Sequence, residues 1–362
     1  MKFIIVQDGI LCKAGGKRVN LSEYHNYGKK NHNCDAEYSD FVKKHYGGER
    51  FYTLNAYLRE RFGQKVYKLA LDGGMTCPNR DGKIGYGGCI FCSGGGSGEF
   101  AVCRQENGGV TEQIERARER IREKTDAGRF IAYFQSYTNT YADVEYLRQI
   151  FTEAIMHPQV EVLSVATRPD CLPDDVMELL AQLNRIKPVW VELGLQTVHE
   201  KTAGYIRRGY PLSCYEDAVH RLHDAGIEVI THVILGLPGE SREDMMETVR
   251  YLSEAVFESC FGECTYRTQG IKLQLLHVLK GTDLAAEYRK GAFSVLNMKE
   301  YLDILFDCLE LLPPDMVIHR ITGDGPKSLL IAPKWSANKK MVLNTIRREM
   351  KLRDIRQGTK YV

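Results

Sequence analysis

Three cysteines share one glycine-rich loop and supply side chains that bind metals. Eleven residues separate Cys77 from Cys89, and two residues separate Cys89 from Cys92. The loop follows an apolar run over 66–71 that predicts a β-strand. Three thiolates that converge at the end of a strand indicate a metal or cluster site in which one ligand position stays open.

The ligand set favours one kind of site over others. Structural zinc prefers four closed ligands, usually in CxxC pairs, and only one CxxC lies near this loop. A catalytic zinc with three cysteines and a water would require a glutamate in an HxE context, which the loop lacks. Three thiolates can hold three irons of a [4Fe–4S] cluster and leave the fourth iron open. Cys103 lies beyond a glycine-rich run, and we expect a free or core cysteine there.

Strand-like runs alternate with charged stretches of helical periodicity along most of the chain. The predicted strands span 66–71, 130–135, 160–167, 189–196, 228–235 and 271–278. The predicted helices span 52–62, 111–126, 143–156, 174–185, 213–225, 242–257 and 299–311. Six consecutive βα units imply a parallel sheet with helices outside, either an open doubly wound sheet or a partial barrel.

Polar residues follow the carboxyl end of nearly every predicted strand. They include Gln135, the run 167–170, Gln196, His232 and His277. A barrel-type active site requires polar residues at this mouth, and core packing does not explain them. We therefore predict an α/β fold, a partial (β/α)6 TIM-like barrel with a C-terminal α-rich basic extension.

Composition limits the classes of protein that fit. The chain has 362 residues and a net charge of +2, so a nucleic-acid contact would have to be local. No apolar run reaches the ~18 to 20 residues of a membrane span, and the N-terminus matches a secretory signal poorly. Eleven cysteines, an odd number mostly in apolar surroundings, favour a reducing compartment. We expect a soluble, cytoplasmic protein.

Changes in pattern predict three parts of the chain. Residues 1–48 lack sustained periodicity and are predicted to be a poorly organised extension. Residues 49–312 carry the βα units, and 313–362 form a basic C-terminal extension.

The C-terminal extension is the one local basic stretch. From Lys334 onward it contains nine Lys or Arg against two acids, and a tryptophan lies among them. Such a stretch can follow a phosphate backbone, although basic helix faces are usually just solvated. The candidate RNA-binding residues are Lys334, Trp335, Lys339, Lys340, Arg347 and Arg348.

Two further cysteine groups carry weaker signals. Cys34 lies near His25 and His32, but without a CxxC pair we do not expect a zinc site. Cys260 and Cys264 form a lone CxxxC without a third thiol nearby, and we treat them as structural.

Sequence blocks from about residue 52 to the C-terminus resemble the radical S-adenosylmethionine (SAM) superfamily. The loop has a widened first spacing in place of the common CxxxCxxC, and this form resembles the elongator-catalytic-subunit-like branch, closest to the bacterial YhcC/YtqA-like group. The matching blocks lie at 71–74, 77–82, 134–141, 167–170, 192–197, 236–240 and 333–336. They occur in the same order as in the family.

The resemblance implies cofactors and a reaction. The three cysteines would bind a [4Fe–4S] cluster, whose open iron would be chelated by SAM. Reductive cleavage of SAM would yield a 5′-deoxyadenosyl radical that abstracts a hydrogen atom from the substrate. An electron donor such as flavodoxin or ferredoxin would be a partner, and no membrane would be.

The resemblance also implies SAM contacts. Arg208 would pair with the methionine carboxylate, and the neighbouring Arg207 could replace it. The usual GGE-type motif is absent, so the segment containing Ser136, Tyr137 and Asn139 corresponds by position alone. Tyr210 stands where the group has a histidine. The remaining implied SAM contacts are Phe91, Thr167, Gln196, His232 and His277.

The substrate is predicted less specifically than the chemistry. The branch implies tRNA modification at a wobble uridine, so tRNA is a predicted partner. One alternative is a radical SAM enzyme with a small-molecule or peptide substrate. The other is a non-catalytic metal or Fe–S binding module. The residue types alone are also compatible with purely structural roles. His232 and His277 could be core histidines, and Gln196 could end a strand. Arg207 and Arg208 could be a solvated pair.

Overall fold

The structure is a computed structural model that describes residues 34–102, 108–122, 128–254, 257–259, 262–264, 267–323 and 325–361. Its strands are β1 (Val66–Leu71), β2 (Arg129–Phe134), β3 (Val160–Thr167), β4 (Val189–Gln196), β5 (Glu228–Leu235), β6 (Phe257–Ser259), β7 (Gly262–Cys264), β8 (Gly270–Leu275), β9 (Val278–Leu279), β10 (Val317–Arg320) and β11 (Leu330–Ala332). Its helices are α1 (Cys34–His45), α2 (Leu54–Phe62), α3 (Val110–Ile121), α4 (Val144–Met156), α5 (Asp174–Asn184), α6 (Glu200–Tyr205), α7 (Leu212–Asp224), α8 (Arg242–Glu254), α9 (Asp283–Arg289), α10 (Met298–Leu311) and α11 (Lys339–Leu352).

Seven strands form one parallel sheet in the order β1-β2-β3-β4-β5-β8-β10. The predicted α/β partial barrel is confirmed, and five of its six strands lie within a residue of the predicted bounds. The sixth ends three residues early, before a separate short strand. The seventh strand was not predicted, because four residues are too short to show a period.

The sheet is strongly curled. Lys68 on β1 and Glu192 on β4 are three strand positions apart, which in a flat sheet would be about 14 Å. Their side chains nevertheless meet, with Lys68 Nζ 2.6 Å from Glu192 Oε1. Both side chains therefore point into the interior of a partial barrel.

Helix α2 covers the amino-terminal end of the barrel. Its side chains Leu54, Tyr57 and Phe62 pack against an inner apolar cluster that includes Val66 and Trp190. The Thr53 side chain accepts a hydrogen bond from the Ala56 N–H and caps the helix. This end is closed, so the carboxyl ends of the strands form the open mouth.

The outer face of the sheet packs against the helices. The largest apolar cluster joins strand residues such as Phe134 to helix residues such as Phe151, Leu179 and Val249. Continuous burial on both faces accounts for the apolar runs in the strands.

Segments from both chain ends meet beside the barrel. Tyr46, which follows α1, donates a hydrogen bond to the carbonyl of Pro314 at 2.9 Å. The fully buried Gln357 donates to the carbonyls of Pro313 and Met316 and accepts from the Tyr52 N–H. The boundaries at 48 and 312 stay predictions. The described part of residues 1–48 nevertheless contains a helix, and β10, beyond 312, belongs to the main sheet.

Candidate functional site

The three-cysteine loop is held in shape by its own backbone. The N–H groups of Arg80 and Asp81 donate to the carbonyl of Cys77, and the Gly88 N–H donates to the carbonyl of Asn79. A bridge between Asp81 and Tyr86 closes the wide first spacing as a small hairpin. The eleven intervening residues therefore fold back and return the chain to the first cysteine.

The sulfur atoms converge. Cys89 and Cys92 are hydrogen-bonded through their side chains, and this contact is the main cause that lowers the pKa of Cys89 to about 7. The same contact and burial raise the pKa of Cys92 well above its usual value, and the nearby Cys77 raises it further. Asn79 Nδ2 lies 3.6 Å from Cys89 Sγ. All three thiols are free and partly exposed.

Arg80 braces the second half of the loop. Its guanidinium donates to the carbonyls of Cys92 and Ser93 and lies 5.4 Å from the centre of the Tyr137 ring. Gly88 has a φ of +83° and lies under this side chain, so a Cβ there would be 2.8 Å from Arg80 Nε. A glycine is required at this position for both reasons.

Strained backbone surrounds the mouth. Tyr137, Gln196 and Arg207 have φ of 57°, 64° and 58°, a region that non-glycine residues seldom occupy. The Arg207 carbonyl accepts from Asn79 Nδ2 and lies 3.5 Å from Cys89 Sγ. Backbone strain of this kind occurs preferentially at functional sites.

Arg168 lies at the site, although the sequence indicates it only as part of the matching block 167–170. It is buried, donates to both carboxylate oxygens of Asp170 and donates to the Arg208 carbonyl. Its charge lowers the pKa of Cys89. The signal was the position of this cation directly after β3, where the mouth of a barrel begins.

Arg208 is fully buried and bound by its own chain. Its guanidinium donates to the carbonyls of Leu195, Thr197 and Tyr210 and to Glu200. These contacts hold α6 against the end of β4. The predicted pairing with a methionine carboxylate stays a prediction, and these contacts favour a positioning role.

The segment after β2 lies at the mouth as predicted from its position in sequence. Ser136 and Asn139 are buried, and Asn139 Nδ2 donates to the Ala166 carbonyl while its buried Oδ1 has no partner among the described residues. Tyr137 donates to the Gly94 carbonyl in the loop that follows the cysteines. Thr167 shares a hydrogen bond with Thr140.

Phe91 and His277 lie on the other side of the loop. Phe91 packs against an apolar cluster that includes Ile206, Leu276 and Val278. The N–H of Leu284 donates to the carbonyl of Ile90, which ties the loop to α9. The ring of His277 packs closely against Gly323 and Gly325. A Cβ at Gly323 would be 2.7 Å from the His277 Cε1.

His232 does not lie with the thiols. Its Nε2 is 2.8 Å from Glu192 Oε2 in the barrel interior, where Lys68 and Lys272 contact the same carboxylate. Burial and the Lys272 charge lower the pKa of His232 to about 4. This polar layer is not predictable from the sequence, because isolated polar residues in apolar strands do not show which of them face each other.

The C-terminal candidates separate into two groups. Trp335 Nε1 donates to the Leu296 carbonyl, and the indole packs against Tyr301. Lys334 is exposed beside it. Four exposed cations lie on α11: Lys339, Lys340, Arg347 and Arg348.

The weaker cysteine groups fall largely outside the described residues. His25, His32, Cys103 and Cys260 lie outside them. For Cys34 and Cys264 the structure gives the backbone alone.

The loop fits a cluster with three protein ligands. It brings three free thiols together beside two arginines, Arg80 and Arg168. Asn79 directs an amide N–H at one sulfur, as donors around metal-bound sulfurs do. Among the described residues no fourth thiol is hydrogen-bonded to them, which leaves one ligand position for another molecule.

Protein-family models match most of the chain. Residues 77–252 match the Radical SAM superfamily, and residues 268–352 match the Radical_SAM C-terminal domain. Uncharacterized protein YtqA of Bacillus subtilis is 48% identical over 86% of this chain and 92% of its own length. Protein YhcC of Escherichia coli is 36% identical over 78% of this chain and 86% of its own length.

More distant relatives share the fold. Elongator complex protein 3 of Schizosaccharomyces pombe is 26% identical over 83% of this chain and 62% of its own length. The solved structure of Methanocaldococcus infernus Elp3 superposes with a TM-score of 0.58 at 16% identity. That match covers 81% of this chain and 64% of the Elp3 chain.

These findings confirm the predicted family and its cofactors, a [4Fe–4S] cluster and SAM. They also confirm that the protein is an enzyme, and the alternative of a non-catalytic module is therefore wrong. Among the described residues, no helix is both long and apolar enough to cross a membrane. With a convergent three-thiol loop at the mouth of a parallel half-barrel and close relatives over most of its length, this chain belongs to the radical SAM superfamily, in the branch that includes YtqA and YhcC and, at lower identity, the Elp3 proteins.

Proposed function

We propose that this radical SAM enzyme modifies RNA, with a wobble uridine of tRNA as its target. When bound, the cluster and SAM supply a 5′-deoxyadenosyl radical that can abstract a hydrogen atom from the target. A small electron-transfer protein, a flavodoxin or ferredoxin, would supply the electron.

The chain's own residues have three tasks at the mouth. Cys77, Cys89 and Cys92 hold the cluster, and Asn79 donates toward one sulfur. The Arg168 guanidinium supplies positive charge beside the thiolates while Asp170 fixes its orientation. The apolar cluster around Phe91 excludes water from one side of the site.

The observation that carries the RNA proposal is the exposed basic face of α11. The buried face of this helix contains Val342, Ile346 and Met350. Lys340, Arg347 and Arg348 lie off this stripe, and Lys339 is exposed at the first residue of the helix. A surface depression of about 410 Å³ on this face is lined by Asn338, Lys340, Met341, Asn344, Thr345 and Arg348. Cations beside amide and hydroxyl groups suit a phosphate backbone.

Binding of tRNA tests the surface. Changing Lys339, Lys340, Arg347 and Arg348 to Gln should weaken binding of unmodified tRNA at least about tenfold near 150 mM salt. The slope of log affinity against log salt should fall by about two to three units. The control carries four matched changes on α3 and α4, at Arg118, Arg120, Arg122 and Arg148, and should bind within about twofold of the parent. Equal tRNA binding by both variants would contradict the placement of the RNA-binding surface on α11.

The modification itself needs a separate measurement. Nucleosides from tRNA of a deletion strain, the parent strain and a strain carrying Cys89→Ala should be compared by mass spectrometry. We expect the same change at a uridine derivative in the deletion and Cys89→Ala strains. Unchanged nucleosides together with altered small metabolites would instead support a small-molecule substrate.

A further inference from the structure

A polar layer crosses the barrel interior beneath the cysteine loop. Glu192 is fully buried, and its carboxylate accepts from Lys68, Lys272, His232 and Ser164. Lys272 also donates to the Tyr133 hydroxyl at 3.1 Å. The members come from β1, β2, β3, β4, β5 and β8, so the layer spans the curled sheet.

The layer continues to β10 through weaker contacts. Gln274 Nε2 lies 3.4 Å from His232 Nδ1, and Arg320 Nη1 lies 3.5 Å from Gln274 Oε1. His319, the neighbour of Arg320, has a buried Nδ1 without a hydrogen-bond partner among the described residues. The Arg320 charge acts on both Lys68 and Lys272.

The cations of this layer outnumber the anions. Lys68 and Lys272 contact one carboxylate, Glu192. Arg320 contacts Gln274 and makes no ion pair with any described residue. Lys272 is buried, and Lys68 and Arg320 are half-buried. A surplus of positive charge that is partly removed from water is unfavourable unless an anion neutralises it. Burial lowers the pKa of Lys272 and of Lys68, and the Arg320 charge lowers both further.

The layer is reachable from the mouth. The side chains of Lys68 and His232 are 21% and 18% exposed, although both lie inside the barrel. Helix α2 and the apolar cluster beneath it cover the opposite end. The exposed parts of these side chains therefore face the space that opens toward the three cysteines.

We propose that this layer is a binding site for the anionic group, a carboxylate or a phosphate, of a ligand that enters the barrel beneath the cluster. The ligand's anion would accept from Lys68, Lys272 and Arg320, in competition with Glu192 for the two lysines, while Gln274 orients Arg320. The site does not depend on an RNA substrate, since it is separate from the basic face of α11.

Calorimetric titration of the anaerobically reconstituted holoenzyme tests the site. Inorganic phosphate and malonate are titrated separately at low salt with saturating SAM present, which distinguishes the two ligand chemistries. We expect at least one probe to bind at one site per chain. The absence of binding by both probes, or binding that disappears when SAM is added, would overturn the proposal.

Variants assign the binding to the layer. Lys272→Met and Arg320→Gln should each raise the Kd of the probe about tenfold, because each removes one charge-assisted donor. Arg320 makes no ion pair with a described residue, so its variant should fold even if Lys272→Met does not. Lys299→Met, at a side chain that is 83% exposed on α10, is the matched control and should leave the Kd unchanged.

Glu192→Gln should strengthen binding of the probe, whereas a variant that has lost its structure would bind the probe more weakly. The change removes the competing carboxylate at nearly constant volume and should lower the Kd of the probe several-fold. Weaker binding in a Glu192→Gln protein that keeps its iron content and thermal midpoint would contradict the proposal.

Discussion

The side-chain amide of Asn79 links Cys89 to the backbone on the opposite side of the site. Its Nδ2 lies 3.6 Å from Cys89 Sγ and 2.5 Å from the Arg207 carbonyl. Arg207 has a strained φ of 58°, and its carbonyl also faces Cys89. The cysteine loop and the turn after α6 are thereby fixed to each other, and Cys89 is the thiol where they meet.

Cys89→Ala should abolish SAM cleavage. The variant keeps two of three thiols and loses the one whose pKa is lowered to about 7, so cluster retention falls. After anaerobic reconstitution and reduction with dithionite, we expect no 5′-deoxyadenosine by liquid chromatography. Cys214→Ala, at a partly exposed thiol on α7, should retain iron and produce 5′-deoxyadenosine at the parent rate. Equal product from both variants would place the cluster elsewhere.

Gly88→Ala should disturb the loop more than Gly87→Ala. The two glycines have φ of +83° and +82°, so the backbone penalty of about 1 kcal/mol is common to both. Only at Gly88 would the new Cβ meet Arg80, whereas nothing lies within 4 Å at Gly87. Iron content after reconstitution should be lower in Gly88→Ala. The bracing role of Arg80 would be wrong if the two variants retained equal iron.

His232→Gln should flatten the dependence of stability on pH. The pKa of His232 is lowered to about 4 in the folded protein, so between that value and the ordinary value near 6.5 the unfolded chain binds more protons. The free energy of unfolding therefore rises as pH increases through this window, by at most about 1.4 kcal/mol per unit for one group. Above the ordinary pKa near 6.5, His232 is neutral in both the folded and the unfolded state, and the free energy of unfolding no longer rises with pH through this group.

Urea unfolding at pH 5 to 7 measures this slope, with His220→Gln on α7 as the control. Glu192, whose pKa is lowered by Lys272 and Lys68, contributes mainly below this range because its ordinary value is 4.5. His319 has a lowered pKa and adds a slope of the same sign. We expect a smaller slope in His232→Gln and the parent slope in the control. Parallel curves for all three proteins would contradict the buried neutral state of His232.

Trp335→Phe should lower stability without weakening RNA binding. The indole donates to the Leu296 carbonyl and packs on Tyr301, so its loss removes one hydrogen bond worth about 1 kcal/mol and some packing. Thermal unfolding should show a lower midpoint, while the Kd for tRNA should stay within about twofold. A large loss of affinity at an unchanged midpoint would instead assign the indole to base stacking.

Much of the barrel could be predicted from the sequence. The predicted strands 66–71, 160–167, 189–196 and 228–235 match the structure, because strands buried on both faces are mostly apolar along their length. The short β10 carries too few residues for such a pattern, and α1 lies in a segment that is polar overall. Both are stabilised by contacts with distant parts of the chain, since Phe41 and Val42 of α1 pack in one apolar cluster with Val317 of β10.

The sequence by itself determined the three thiols, the parallel direction of the strands and the polar residues near their carboxyl ends. Their residue types and spacing are local properties, and a βα repeat leaves few ways to arrange a sheet. Only the tertiary structure decided which side chains meet. Curling of the sheet brings Lys68 and Lys272 to Glu192, and burial ties Arg208 to backbone carbonyls, because these contacts join residues that are far apart in the chain.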